Sequence, residues 1–513
     1  MENNAYTKSS QVREYIQKLA NDRYRPGYHF AIPVGDGRPG DPNGAFYADG
    51  RYHLMYLYRI SEDGRFNWGH MTSADLLHWR QHKDAIGVHE GDSGCFSGGA
   101  FVDDDGTAYL TFWKFPSKDF AKDNGGIAIA YSKPPYEDWT RIEPIAINGN
   151  RSPWGTVDID GEHISCADPS NIWKIDGVYY MQTGNLCVLN EWGRGPGSDP
   201  KYRGDWVDLF RSDDLKTWSF VNRFYSGNPK DGDWPDDSED DMCPSFLPAP
   251  DAGEGGKLTD TYIQVFIAHN KGAQYYLGKL SDDNLTFKPE KHGRFSWVDN
   301  TCFAPEALID DRNRHICWYW LLDNIDDDFN KFGWTGVYSF PRCLWVEDDE
   351  LHMSPASELD RLQINGQSFD IGEISGTKKI DVKNGESFRI KAEIEVKAGK
   401  AGFAVREDDE NGEKTLIYYD ADEKALVMDA SESGFAGRKV KESAPFALKE
   451  CEKLSLDIFV DKSVVEVYAN ERQAICRRVY PTNPAKATSV SAAADNAGFI
   501  SVKAWEMTET NSY

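Results

Sequence analysis

A chain of 513 residues with a formal net charge of −27 is too long for one ordinary core and too acidic to seek nucleic acid or an anionic membrane. Its composition, 40% hydrophobic and 13% aromatic with 16 Trp, 25 Tyr and 26 Phe, is that of a globular β-rich protein and excludes a disordered one. A neutral ligand suits that charge, and many flat rings suit the faces of sugars.

The amino terminus, MENNAYTKSSQVREYIQKLANDRYRPG, lacks the apolar segment of a signal peptide. Residues 10–20 instead predict a short amphipathic helix with Val12, Tyr15, Ile16 and Leu19 on one side. No run of 18 apolar residues exists, so no membrane span is expected. The nine cysteines are scattered, with no CxxC or Cys/His cluster. Reduced thiols, a cytoplasmic location and the absence of any metal or cofactor are the corresponding expectations.

Four segments then repeat one pattern: an apolar strand, and a second strand ending in Ser, a turn and an aromatic residue. They pair YHLMYLY with SADLLHW, AYLTFWKF with SKPPYEDW, VYYMQTGN with SDDLKTW and YIQVFIAHN with SDDNLTF. A fifth strand, HICWYWLLD, begins another unit. Repeats of several strands with an aromatic closing the outer hairpin read as propeller blades, the alternative being an irregular multi-sheet sandwich. Beyond residue 360, SFRIKAEIEV and LSLDIFVDKSVVEVYAN alternate apolar and polar residues, as two-faced strands of a β-sandwich do. The fold expected is all-β. A helical extension over 1–24 precedes a five-bladed β-propeller over 25–355 and a β-sandwich over 356–513.

In a propeller, acids far apart in sequence meet where inner strands converge. Asp41 in GDPNG and Asp168 in ADPSN both sit before a proline at the start of a blade. Asp-Pro and Asn-Gly are also ordinary turn dipeptides. Two acids in equivalent places of different blades nevertheless point to glycoside cleavage, which uses paired carboxylates without metal.

The motifs carry a resemblance. GDPNG (40–44), FNWGHMTSADLLHW (66–79), CFSGGA (95–100), ADPSNIW (167–173), MCPSF (242–246), FAPEAL (303–308) and LDIFVDKSVVEVYAN (456–470) resemble, in order, the motifs of glycoside hydrolase family 32. That family comprises the β-fructofuranosidases, levanases and inulinases. The resemblance implies a retaining hydrolase of β-fructofuranosides or a related furanoside. Asp41 would be its nucleophile and Asp168 the stabiliser of the oxocarbenium-like transition state. Asn43, Ser97, Trp68 and Phe96 would contact substrate, the two rings as pocket walls or equally as blade core.

Four positions depart from the pattern. Met242 stands at the acid/base Glu, Ala167 at an Arg, Gly40 at an Asn and Leu57 at a Gln. Each change deletes a polar group, and a sugar hydroxyl buried without a partner costs about 1–3 kcal/mol. Arg38 is the candidate replacement for the missing guanidinium, and Asp241 or Glu306 for the missing acid. Asp241 would need a bulge to turn inward, because on a regular strand it faces away. The partner expected is a small sugar or oligosaccharide, with neither nucleic acid nor membrane, and the sandwich offers a surface for pairing with a second copy. Fructosyl transfer, an arabinofuranosidase-like activity and a catalytically inactive sugar-binding protein are the alternatives.

Overall fold

A computed structural model of the protein describes residues 3–31, 37–60, 65–87, 94–114, 125–143, 146–148, 155–227, 240–323, 334 and 336–511. The chain divides into two compact units. One comprises Pro39–Trp320 with Pro341–His352, and the other Met1–Arg38, Leu321–Phe340 and Met353–Tyr513. Among the described residues no helix is long and apolar enough to cross a membrane. All nine cysteines are free.

Five antiparallel sheets follow one another along the chain as the blades of a β-propeller. They begin at the strands Gly37–Ala48, Ala100–Val102, Ala167–Pro169, Met242–Pro250 and Cys302–Ile309, and each continues through successive hairpins. The first strand of the fourth blade touches those of the third and of the fifth, which places them at the centre. Neighbouring blades stack through apolar faces. Met55, Leu57 and Trp68 of the first meet Leu110, Phe112 and Ala130 of the second, and Trp173, Val207 and Leu209 of the third meet Phe246, Phe266 and Tyr276 of the fourth. Strands buried on both faces read as nearly continuous apolar runs, which is why YHLMYLY does not alternate.

The repeated Ser–Asp turns join the third strand of a blade to its fourth. Asp75 accepts hydrogen bonds from the N–H groups of Leu77 and His78, and Asp214 from those of Lys216 and Thr217. The residue after the acid, Leu76, Leu215 or Asn284, enters the left-handed region at φ 60–63°. The backbone turns there, and Trp79 and Trp218 fold back to donate to the carbonyls of Leu76 and Leu215. One local solution, an acid side chain replacing a backbone turn, thus recurs in the first and third blades and, through Asp283, in the fourth.

The other unit is a β-sandwich built on one extensive sheet that includes the long strands Ser387–Asp408 and Ser489–Met507. The strand Leu454–Asp461 places Leu454, Leu456 and Ile458 in the core. The next, Val464–Ala469, departs from the expected alternation, for every residue in it is buried. Its second face is covered from within the unit: His29 reaches Glu466, Phe340 N donates to Glu466, and Phe340 packs on Phe459 at 4.9 Å. The amino-terminal helix runs over Asn3–Ala20, longer than expected. Leu19 is buried, whereas Val12 is 58% exposed, so the predicted apolar side packs only at its carboxyl end.

Asp461, the last residue of the strand Leu454–Asp461, fastens the segment after the helix. Its carboxylate accepts the N–H groups of Gly27, Tyr28 and His29 at 2.7–2.8 Å and lies 3.1 Å from His29 Nδ1. Burial alone would raise this carboxyl, but His29 and the backbone donors hold it below the ordinary value; His29 is raised in turn. Asp461→Ala should lower stability by about 3–5 kcal/mol, since it strands a buried partner and three donors. Asp461 supplies its share above the unfolded carboxyl pKa and loses it as pH falls through the depressed folded value. His29 supplies its share below the unfolded imidazole value and loses it as pH rises through the raised folded one. Urea midpoints of the variant and parent across pH measure both. A variant that matches its parent throughout contradicts this account.

Candidate active site

Three inner strands share one backbone device. In each, the residue before a proline is left-handed: Asp168 at φ +40°, Cys243 at +48° and Ala304 at +43°. Residues before proline ordinarily prefer extended backbone, so these are strained positions, a feature that concentrates at functional sites. The ladder slips at two of them, between Ala167 and Pro169 and between Met242 and Ser245. The slip brings Asp168 and Cys243 together with Asp41 from the first blade. The Cys243 thiol lies 3.5 Å from Asp168 Oδ2 and 3.9 Å from Asp41 Oδ2, and Cys243 N–H donates to Asp168 Oδ2 at 3.3 Å. Two acids 127 positions apart in sequence therefore converge on one sulfur.

The Asp41 turn is held from several sides. Ser97 Oγ donates to Asp41 Oδ2 at 2.5 Å. Asn43 is buried with both ends of its amide engaged, Nδ2 donating to the Asp41 carbonyl and Oδ1 accepting from Gly98 N–H. Gly44 has φ +53°, and a Cβ there would sit 2.9 Å from Leu110 and 3.0 Å from Trp68, so the turn requires glycine. Glu306, nearly fully buried, accepts Ala45 N–H at 2.6 Å. Asn43 and Glu306 therefore brace the turn rather than face a sugar.

Burial raises Asp41, although the Ser97 hydrogen bond and the charge of His269 oppose the rise. Burial likewise raises Asp168, to about 6, with the Asp41 charge adding to the shift. Cys243 is driven well above the ordinary thiol value by burial and by both acids, so it stays a neutral S–H.

The other expected residues fall differently. Asp241 is fully buried, its pKa is raised by burial and by the charge of Asp205, and neither of its oxygens has a hydrogen-bond partner among the described residues. The bulge that was needed exists, but it falls at Cys243 and turns the thiol, not Asp241, toward the acid pair. Trp68 is 0% exposed and donates to the Phe96 carbonyl; it belongs to the blade core, not to a pocket wall. Phe96 is half-buried and packs between Phe66 at 5.1 Å and Trp113 at 5.3 Å, which together form a row of partly exposed rings beside Ser97. The side chain of Arg38 lies outside the described residues.

Sequence reasoning missed a second cluster. His269 follows the strand Leu258–Ala268, whose Ile267 pairs with Met242, so His269 lies beside Asp240. Its N–H donates to Asp240 Oδ1 at 2.8 Å, its Nδ1 is 3.5 Å from Asp240 Oδ2, and Arg194 Nη2 is 3.6 Å from the same oxygen. The ring packs edge-on against Phe303 at 5.8 Å, and Phe303 meets Trp320 at 6.0 Å. Trp320 in turn borders Gly40, next to Asp41. An aromatic wall thus runs from the imidazole to the Asp41 turn. The lone His of IAHN gave no signal in sequence, since only the hairpin brings it to the acids.

Family models match both units of sequence: the glycosyl hydrolases family 32 N-terminal domain over residues 35–355, and the family 32 C-terminal domain over 358–506. The chain belongs to glycosyl hydrolase family 32. It is 25% identical to the sucrose-6-phosphate hydrolase of Zymomonas mobilis subsp. mobilis, covering 96% of this chain and 94% of that protein. It is 27% identical to the levanase of Bacillus subtilis over 92% of this chain and 69% of the levanase. Its fold matches fructan 1-exohydrolase IIa from Cichorium intybus with a TM-score of 0.79 at 20% identity, over 96% of this chain and 98% of that one. A further structure of that protein is in complex with 1-kestose.

This family 32 enzyme is a glycoside hydrolase with apolar groups where the motif pattern led one to expect polar ones. Met242 is buried, with Sδ close against Gly184. Ala167 is fully buried, and a Cβ on Gly155 would sit 2.7 Å from its methyl, so backbone closes over the space an arginine would need. Gly40 is different, because a Cβ there would meet Trp320 only at ordinary van der Waals distance.

Proposed function

We propose that the protein is a retaining hydrolase of β-fructofuranosides, of the sucrose or fructo-oligosaccharide type, with Asp41 as nucleophile and Asp168 as transition-state stabiliser. The observation that carries this reading is the convergence of Asp41 and Asp168 on Cys243 Sγ, with Ser97 holding the attacking carboxylate. The names of the similar proteins, which act on sucrose 6-phosphate, levan and fructan, support the fructoside part.

Asp41 Oδ attacks the anomeric carbon as the glycosidic C–O bond breaks, giving an ester to the enzyme; water then cleaves that ester with a second inversion. A fixed carboxylate removes the ordering cost from the moment of attack. Asp168 places negative charge beside the carbon as positive charge develops on it. The half-buried rings Phe66, Phe96 and Trp113 offer apolar faces for sugar units beyond the cleaved bond.

Incubation with sucrose, 1-kestose, inulin and levan tests the proposal, with products followed by chromatography and the first-formed anomer by NMR. Release of β-fructofuranose is the expected result. Initial release of the α-anomer contradicts retention, and release of no fructose from any of the four contradicts the fructoside reading. New oligosaccharides in place of free fructose would mean transfer.

A further inference from the structure

We propose that His269, held by Asp240, is the acid/base of this site. The inference rests on the fructoside reading above and supplies the proton carrier that reading lacks. Met242 has no proton to give, Asp241 faces Asp205, and Glu306 is bound to the Asp41 turn. The Cys243 thiol touches both acids, but it is held so firmly protonated that it is a poor donor near neutral pH.

His269 has the required surroundings. Asp240 binds both its backbone N–H and Nδ1, which leaves Nε2 clear of that carboxylate, and Arg194 approaches the same Asp240 oxygen as Nδ1. Asp240 and the ring of Phe303 lie against the imidazole, the charges of Asp168 and Asp41 reach it, and Asn300 donates to its carbonyl. The side chain is 49% exposed, so it can exchange protons with solvent between turnovers. Burial lowers its pKa, but the Asp240 hydrogen bond and the charges of Asp240, Asp168 and Asp41 outweigh that, and the net shift is upward. The imidazolium thus persists at the pH where the acid pair must be ionised.

The two steps balance. As Asp41 bonds to the anomeric carbon and the leaving C–O bond breaks, the Nε2 proton passes to the departing oxygen, leaving neutral imidazole. The imidazole then takes a proton from water as the water oxygen attacks the same carbon. The ester bond to Asp41 breaks, and carboxylate and imidazolium are restored. An imidazole whose second nitrogen rests on a carboxylate is suited to both directions of transfer.

His269→Gln tests the assignment on the intact chain, and the parent is measured first. If the parent turns over no fructoside, the fructoside reading fails and this inference fails with it. Given an active parent, His269→Gln should reduce kcat/KM for sucrose or 1-kestose about 10²–10⁴-fold. The loss should shrink for 4-nitrophenyl β-fructofuranoside, whose leaving group needs no proton. Azide, which attacks without a base, should restore turnover and yield fructosyl azide, and the basic limb of the pH profile should vanish. Asp240→Asn tests the orienting carboxylate separately, and its expected sign is a basic limb displaced to lower pH, because the raising partner is gone. Activity within a few-fold of the parent on natural sugars overturns the assignment. So does an equal loss on both kinds of leaving group without azide rescue.

Discussion

Asp41→Asn should leave a folded protein whose turnover of fructosides falls about 10⁴–10⁶-fold, the scale seen when a covalent nucleophile is removed. Asn is nearly isosteric, and its amide oxygen still accepts the Ser97 hydroxyl, so the turn braced by Asn43, Gly44 and Glu306 has no reason to open. What disappears is the attacking charge. Its removal has a second consequence independent of turnover. The Asp41 charge is one of the causes that raise Asp168 to about 6, so in the variant Asp168 should titrate lower, although burial still keeps it above the ordinary value. Infrared titration of the carboxylates of parent and variant reads that shift. Turnover near the parent level removes Asp41 from the nucleophile's role, whereas an unmoved Asp168 would mean that the two acids do not face each other.

Much of the architecture was legible because it is written locally. The Ser–Asp turn of the first, third and fourth blades needs a serine, an acid and a left-handed residue within four positions, and such short-range chemistry survives as a visible repeat. Asp41 and Asp168 were legible for a related reason, since each is fixed against a proline at the start of an inner strand. Residues whose roles depend on tertiary direction were not legible. Trp68 looks like a pocket wall in FNWGHM, yet its strand is buried on both faces, so its ring goes into the stack between blades. Glu306 and Asp241 are acids of the right type near the right motifs, but the slip at Met242–Ser245 decides which neighbour turns inward, and it selects Cys243. His269 emerges only when the hairpin sets it beside Asp240, nearly thirty positions earlier in the chain. In the sandwich, the alternation in VVEVYA hides the fact that His29 and Phe340 cover its second face.

Asp168→Asn should be the second most damaging change, with kcat reduced about 10²–10³-fold, the scale for removing one preorganised electrostatic contact to a transition state. The variant matters here, because Asp168 sits at φ +40° before Pro169. Asn tolerates left-handed backbone better than most residues, so this substitution removes charge while keeping the strained strand that presents it. Ala would confound lost charge with altered backbone. The parent should also lose activity as pH falls through about 6, since Asp168 must be ionised to favour an oxocarbenium-like carbon and burial holds its pKa near that value. Because Asp41 and Asp168 interact, that acid limb belongs to the pair rather than to either acid alone. Asp168→Asn should therefore move the limb to lower pH, because the carboxyl held at about 6 is gone and Asp41 alone is left to titrate, at the same time as it lowers the plateau. A limb that stays in place while the plateau falls would mean that Asp168 acts through packing and not through its charge. The double variant with Asp41→Asn should cost little more than Asp41→Asn alone, because a stabilising charge has nothing to act on once the bond-forming step is lost. A fully multiplicative loss would mean that the two carboxylates serve separate steps.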